Sequence, residues 1–319
     1  MTGPVASVVL LLASLVMLYF GAQWMVRGAS RAARALNISP LIIGLTIVAY
    51  ATSAPELVVG VTASLRNVSE VSLGNIIGAN VACICSIMGL SALVRPVRVR
   101  HDTWRKEMLV VLVPQLLLFA FCLDGRLARW EGAVLIGVFL VSVILAVRAA
   151  KGQGGDHLPE QIIHARSRLW VIVLLLVLGL GLLVVGGNVL VRSAVEVAKA
   201  AGMSNLTIGL TIVAMGTTVP ELATSIVAAR QGEGDISLGN AVGSVFFNTA
   251  FILGLAAVLN PIAVAPAEAF IKIPLMIAFV VVLIPFLRTG FVLTRLEGAL
   301  LLACYVGFLA YSVWSGVGG

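Results

Sequence analysis

The sequence predicts an all-α integral membrane protein in which ten transmembrane helices form two five-helix repeats of inverted topology. Three features support this prediction: an apolar composition, ten long apolar stretches and an internal repeat. Of the 319 residues, 60% are hydrophobic and 11% are charged, whereas soluble domains carry about 25% charged residues. This composition is typical of a polytopic membrane protein.

Ten apolar stretches are close to or above the length of about 20 residues that an α-helix needs to cross a bilayer. They lie at about 5–26, 39–65, 70–93, 107–123, 130–148, 169–191, 205–229, 235–259, 270–287 and 296–315. With the N-terminus outside, 15 of the 21 basic residues fall in the short inside loops. Because cytoplasmic loops are enriched in Lys and Arg, the sequence predicts a cytoplasmic (inner) membrane protein with both termini outside. The same distribution accounts for the net charge of +7 without a nucleic-acid partner.

An internal repeat divides the chain into two halves. The segment GLTIVAYATSAPEL from Gly44 recurs as GLTIVAMGTTVPEL from Gly209, and 16 of the 35 residues that begin at Gly44 match the residue 165 further on. The first repeat is predicted at 1–149 and the second at 169–319, joined by a polar cytoplasmic linker at 150–168. Because five spans are an odd number, the second repeat enters the membrane from the opposite side, as in many secondary transporters.

Each copy of the repeated segment carries a proline followed directly by a glutamate in the middle of a span. Pro55 and Pro220 predict helix breaks at membrane depth, which are tolerated where the backbone lines a cavity or binds a ligand. Glu56 and Glu221 are costly in a bilayer and therefore predict a functional site. No basic residue lies in spans two, three, seven or eight to pair with them.

Hydroxyl and amide side chains accompany these glutamates. Spans three and eight repeat Ser-Leu-Gly-Asn, which places Asn75 and Asn240 at a depth where an amide needs a partner. Oxygen ligands without histidine suit hard cations such as calcium and sodium rather than zinc or copper. Two facing carboxylates repel each other, and one calcium ion or several sodium ions would neutralise them, so competition for one site predicts antiport. The oxygen-bearing candidates next to the breaks are Thr52, Ser53, Glu56, Thr217, Thr218 and Glu221.

The four cysteines predict neither a zinc site nor a disulfide framework. They lie at positions 83, 85, 122 and 304, within hydrophobic segments and without the spacing that either function requires. The sequence predicts no cofactor and no obligatory protein partner. The expected partners are the lipid bilayer and the transported calcium and sodium ions.

On these motifs the chain resembles the calcium/cation antiporter superfamily and, within it, the prokaryotic sodium/calcium exchangers. The resemblance covers essentially the whole chain and implies ten helices in two inverted repeats interlocked around a midplane site. It implies that Glu56 and Glu221 are calcium ligands and that the neighbouring hydroxyls belong to the site. It also implies that the carbonyls of Ala49 and Ala214 reach sodium, and that spans one and six slide across the core.

The first repeat departs from the pattern of this family. The family usually has a small hydroxyl residue followed four positions later by Asn or Asp. The second half keeps Ser244 and Asn248, whereas the first half has Ala79 and Cys83, with Asn80 offering a shifted amide. The resemblance therefore implies weaker binding, altered sodium dependence or an unusual counter-ion.

Three alternatives remain open at this point. A proton- or potassium-linked cation exchanger is the nearest, although the GNxxE pattern of proton-coupled exchangers is missing from both halves. An intramembrane hydrolase would use Glu56 and Glu221 as acid and base, but these roles need unlike environments and the sequence holds no HExxH motif. A passive channel is the third alternative. We expect an antiporter rather than an enzyme.

Overall fold

The computed structural model describes residues 4–99, 104–152, 161–200, 214–288 and 290–317. The helices of the first half are α1 (Pro4–Leu36), α2 (Pro40–Ile43), π1 (Gly44–Val48), α3 (Ala49–Thr52), α4 (Ala54–Leu65), α5 (Ser69–Val81), π2 (Ala82–Ile87), α6 (Met88–Val94), α7 (Trp104–Phe121), a 3-10 turn (Cys122–Asp124) and α8 (Arg129–Gly152). The π segments and α helices around them run on without a break, so several together form one span.

The second half repeats this order. Its helices are α9 (Gln161–Ala200), α10 (Ala214–Gly216), α11 (Val219–Gln231), α12 (Gly234–Phe247), π3 (Asn248–Ile252), α13 (Leu253–Leu259), π4 (Glu268–Lys272), α14 (Ile273–Arg288) and α15 (Arg295–Val317). The first five residues of the repeated segment, 209–213, lie outside the described residues.

The described part of the chain is helical, as predicted, and it contains seven helices that are long and apolar enough to cross a membrane. An eighth span results when Pro40–Thr52 and Ala54–Leu65, which meet at a 50° bend, are counted together. The predicted span at 107–123 is a shorter apolar helix, and the span at 205–229 begins outside the described residues. The count of ten helices therefore stays a prediction.

Helix α8 continues to Gly152 and helix α9 begins at Gln161, so helical structure extends into both ends of the linker predicted at 150–168. Residues 161–168 contain good helix formers such as Gln, Ala and Arg, which continue the helix of the adjoining span beyond its apolar part. Residues 153–160 lie outside the described residues.

Two short antiparallel ribbons join the halves crosswise. Strand β1 (Val97–Arg98) of the first half pairs with β4 (Val292–Leu293) of the second, and β2 (Arg126–Leu127) pairs with β3 (Ile262–Ala263). Each ribbon therefore takes one strand from each repeat. These ribbons are the departure from the predicted all-α fold.

Helices α1 and α9 form a peripheral antiparallel pair. A Cβ at Gly21 would lie 2.9 Å from the carbonyl oxygen of Gly179, so glycine is required for this close approach. In their apolar windows 28% and 22% of residues are buried, against 83% for Val71–Val94 and 78% for Gly234–Leu259. The spans that carry the predicted amides thus form the centre of the bundle.

Candidate functional site

Two broken helices position the glutamates in the same way. Helix α3 ends before Ser53 (φ −79°, ψ 12°), and α4 begins at Ala54 with Pro55 as its second residue. Proline is tolerated there because the first N–H groups of a helix have no intrahelical acceptor. Glu56 is therefore the third residue of a new helix, where the positive end of the helix dipole stabilises a carboxylate.

The second break follows the same rule. Thr218 (φ −85°, ψ 0°) precedes α11, whose second residue is Pro220 and whose third residue is Glu221. Both glutamate side chains are completely buried, and Glu221 lies near enough for its charge to act on Glu56. Among the described residues, no basic side chain forms an ion pair with either carboxylate. The site therefore holds two buried acids close together without a protein counter-charge.

A hydrogen-bond network from both halves holds Glu221. The hydroxyl of Ser53 donates to Glu221 Oε1 at 2.9 Å across the repeat boundary. Asn240 Nδ2 donates to the backbone oxygen of Glu221 at 3.1 Å and to Ser225 Oγ at 2.9 Å. Thr52 Oγ1 donates to Asn240 Oδ1 at 3.1 Å. The structure thus brings three predicted residues, Thr52, Ser53 and Asn240, together around Glu221.

Other oxygens in the same set have no protein donor. Within the described residues, six fully buried side-chain oxygens of the predicted set lack a hydrogen-bond partner. They are Glu56 Oε1, Glu56 Oε2, Thr217 Oγ1, Glu221 Oε2, Ser244 Oγ and Asn248 Oδ1. Leaving a buried polar atom unpaired costs about 1–3 kcal/mol. A hard cation coordinated by such oxygens offsets that cost and balances the two carboxylates.

The remaining predicted residues differ in their contacts. The carbonyl of Ala49 already accepts from Ser53 N at 3.0 Å, and it lies 3.3 Å from Thr52 Oγ1 as the alternative acceptor for the single proton of that hydroxyl. Ala214 is the first residue of α10, and Thr218 is buried at the helix break. Asn75 is half-buried, and its Nδ2 has no partner among the described residues.

The two first-half residues that depart from the family pattern, Ala79 and Cys83, lie in the centre of the bundle. Cys83 is fully buried in π2, and its neighbour Ala79 is also buried. Asn80 does not present an unpaired oxygen, because Asn248 Nδ2 donates to Asn80 Oδ1 at 3.1 Å. Asn80 Nδ2 in turn donates to Thr249 Oγ1 at 2.8 Å. The shifted amide is therefore bonded to a predicted second-half ligand.

Sequence analysis missed Ser225 and Thr249. Ser225 lies one helical turn after Glu221, but its repeat counterpart is Gly60, so the symmetry that identified the other residues gave no signal. Thr249 directly follows Asn248, and its bond to Asn80 joins residues 169 apart in sequence. Spacing alone could not indicate that contact.

The described residues contain no cluster of three or more His, Cys, Asp or Glu side chains arranged for a metal ion. A separate cavity of about 240 Å³ lies beside Tyr50, Val111 and Phe246. Its walls are mostly apolar and contain none of the predicted ligand residues. We therefore place the candidate site at the paired helix breaks, where carboxylates, hydroxyls and amides meet.

Comparison with known proteins identifies similar chains among sodium/calcium exchangers and antiporters. The family model described as sodium/calcium exchanger protein matches residues 6–148 and 171–314. The putative antiporter CaxA of Alkalimonas amylolytica is 37% identical, covering 94% of this chain and 96% of CaxA. The sodium/calcium exchanger MaX1 of Methanosarcina acetivorans is 31% identical, with coverage of 94% and 96%. A solved structure of the sodium-calcium exchanger NCX_Mj superposes with a TM-score of 0.84 at 29% identity, covering 96% of this chain and 99% of NCX_Mj.

Proposed function

The chain belongs to the sodium/calcium exchanger family, and from this membership we propose that it is a secondary antiporter that exchanges Ca²⁺ for Na⁺. It acts in the cytoplasmic membrane, and both ions use one site near the bilayer midplane that opens alternately to each side. No step of this cycle requires a cofactor or an enzymatic reaction.

The structural observation that supports this proposal is the set of six buried, unpartnered oxygens on the predicted ligand residues Glu56, Thr217, Glu221, Ser244 and Asn248. Calcium is bound by six to eight oxygens, which include carboxylates. One calcium ion or two sodium ions would balance the formal charge of the two glutamates. Because both cations need the same carboxylates, binding of one excludes the other, and coupled exchange follows.

An unloaded site would keep two unbalanced charges inside the bilayer, which is energetically costly. This cost favours movement of the loaded protein and suppresses leak, so it supports an antiporter over a channel. Membership of the exchanger family supports a shared cation site rather than an acid and base pair for hydrolysis.

The peripheral helices are the candidates for the moving part. Helices α1 and α9 come from opposite repeats, pack against each other and are far less buried than the central spans. We propose that this pair slides across the central helices and exposes the site first to one side and then to the other. The glycine contact between α1 and α9 keeps the pair together during this motion.

The proposed architecture is ten helices in two inverted repeats, 1–149 and 169–319, with both termini outside. The crosswise ribbons support it, because the two ribbons are themselves equivalent: each joins the connection after the third span of one repeat to the connection after the fourth span of the other. Ser30 Oγ also donates to Glu233 Oε1 at 2.8 Å, which links α1 to the connection between α11 and α12.

A proton- or potassium-linked cation exchanger is the second candidate. It is favoured by the first half of the site, where Ala79 and Cys83 replace oxygen-bearing residues, and by the neutral amide of Asn248. Two carboxylates then carry all the negative charge, which alters the number of sodium ions that can replace calcium.

Uptake of isotope-labelled calcium into proteoliposomes tests both candidates. We expect uptake when an outward sodium gradient is imposed, and little uptake when only a pH or potassium gradient is imposed. Uptake that responds to pH or potassium but not to sodium would transfer the assignment to the second candidate. Calcium flux that needs no counter-ion would identify a channel.

A further inference from the structure

Three buried side chains form a hydrogen-bonded line that ends at Asn248, one of the predicted ligand residues of the candidate site. Asn80 Nδ2 donates to Met276 Sδ at 3.4 Å and to Thr249 Oγ1 at 2.8 Å. Asn248 Nδ2 donates to Asn80 Oδ1 at 3.1 Å. Asn80, Met276 and Asn248 are each at most 1% exposed. The line therefore runs through the protein interior from helix α14 to Asn248.

The chemistry of Met276 fixes the direction of every hydrogen bond in this line. A thioether sulfur has no proton and can only accept. The amide nitrogen of Asn80 must therefore face Met276, which leaves Asn80 Oδ1 facing Asn248. Because a carbonyl oxygen also only accepts, Asn248 must turn its own nitrogen toward Asn80.

The orientation of Asn248 determines which atom it offers to the site. With Nδ2 held by Asn80, Oδ1 points away from Asn80, and it has no partner among the described residues. A reversed amide would turn two N–H groups toward the cation and repel it. An asparagine ligand thus works only in one of its two orientations.

We propose that Asn80 is a positioning residue that holds the carbonyl oxygen of Asn248 toward the transported cation, and that Met276 sets the orientation of Asn80. The inference rests on the proposed function, because it requires that Asn248 binds the transported ion. It assigns to Asn80 a role other than that of a replacement ligand for Cys83. It also assigns a role to Met276, which lies outside both copies of the repeated motif.

A carboxylate at position 248 removes the need for this orientation, since both of its terminal atoms are oxygens. The test is therefore a double-mutant cycle with Asn80→Leu, Asn248→Asp and the double variant. Calcium affinity is measured on the purified full-length protein by isotope binding, with calcium ion as the probe. Thermal unfolding and size-exclusion chromatography of each variant report on its fold.

We expect Asn80→Leu to weaken calcium binding about five- to tenfold, the effect of about one hydrogen bond to an ion ligand. In the Asn248→Asp background the same change should cause no loss. A purely structural role for Asn80 predicts an equal loss in both backgrounds, and that result would overturn the inference.

Met276→Leu provides a second test in case Asn80→Leu does not fold. It removes the acceptor and keeps the volume, so we expect calcium binding about two- to threefold weaker in the wild-type background and unchanged with Asp at position 248. Met108→Leu, at an equally buried methionine of α7, is the matched control and should leave binding unchanged. If calcium affinity is unchanged in Met276→Leu, or falls equally in both backgrounds, Met276 does not set the orientation of Asn80 and the inference is wrong.

The outcomes separate this inference from the proposed function. Wild-type protein that binds no calcium would refute the proposed function and the inference together. Wild-type binding that is lost in Glu56→Gln but is insensitive to Asn80→Leu and Met276→Leu would refute the inference alone.

Discussion

The two repeat-equivalent glutamates lie in unlike surroundings. Glu221 is held by Ser53 through its carboxylate and by Asn240 through its backbone, whereas Glu56 lies beside Thr217 of the other half but has no hydrogen bond of normal geometry on either carboxylate oxygen among the described residues. Asn75, the counterpart of Asn240, likewise has an unpartnered nitrogen within that part of the chain. Symmetry of the backbone has therefore not produced symmetry of the chemistry.

This difference indicates that the two carboxylates depend to different degrees on the protein and on a bound cation. Ser53 and Asn240, which in turn accepts from Thr52, hold Glu221 through hydrogen bonds within the protein. Both carboxylate oxygens of Glu56, but only one of the two of Glu221, lack a hydrogen-bond partner among the described residues. We infer that the transported cation completes the coordination of Glu56 to a greater extent than that of Glu221, and this comparison can be tested by changing equivalent residues in pairs.

The largest expected effect follows from removing either charge. Glu56→Gln and Glu221→Gln should each lower calcium transport by about 100-fold or more, since disrupting a buried charge interaction costs roughly 3–5 kcal/mol. The measurement is sodium-driven calcium uptake by variants that insert into the membrane and fold. Glu131→Gln is the control, because this buried glutamate accepts from Ala128 N at 2.7 Å, and an amide oxygen preserves that bond. Full flux in both site variants would remove the carboxylates from the mechanism.

The second effect concerns stability and compares Asn240→Leu with Asn75→Leu. Loss of Asn240 leaves Thr52, Ser225 and the backbone of Glu221 without their partner, so we expect a loss of about 2–4 kcal/mol. Asn75→Leu should cost less than about 1 kcal/mol, because no described residue pairs with its nitrogen. Thermal unfolding of the detergent-solubilised proteins measures both. Equal shifts in Tm would show that Asn75 and Asn240 contribute equally to stability.

The smallest expected effect is tighter cation binding. Cys83→Asn places an amide oxygen at the fully buried first-half position, and we expect calcium or sodium to bind about two- to tenfold more tightly, in line with one added neutral ligand. Cys85→Ser, at another buried thiol of the same π segment, is the control and should not alter affinity. If neither ion binds differently to Cys83→Asn, position 83 does not contact the site.

The helix breaks of the candidate site could be predicted because the motif that produces them occurs twice in the sequence. Pro55 and Pro220 predict the helix breaks, and each break fixes the following glutamate as the third residue of a new helix. The contact between Ser53 and Glu221 follows once the two breaks face each other. These features depend on local backbone rules, which sequence reports directly.

Features that depend on tertiary contact escaped prediction. Strands of two residues, such as Val97–Arg98, are too short to show the alternation that indicates a strand. The orientation of Asn248 depends on Met276, which the fold brings close and the sequence does not. Ser225 differs from its counterpart Gly60, so comparison of the repeats concealed it.

The crosswise ribbons have a consequence for the ancestry of the chain. Strands β1 and β2 both have their partners in the opposite half, so an isolated half would leave both strands unpaired. A single half is therefore not a self-sufficient unit. If the second repeat is inverted as predicted, a one-repeat forerunner would have needed a second copy inserted upside down in the same membrane to pair these strands.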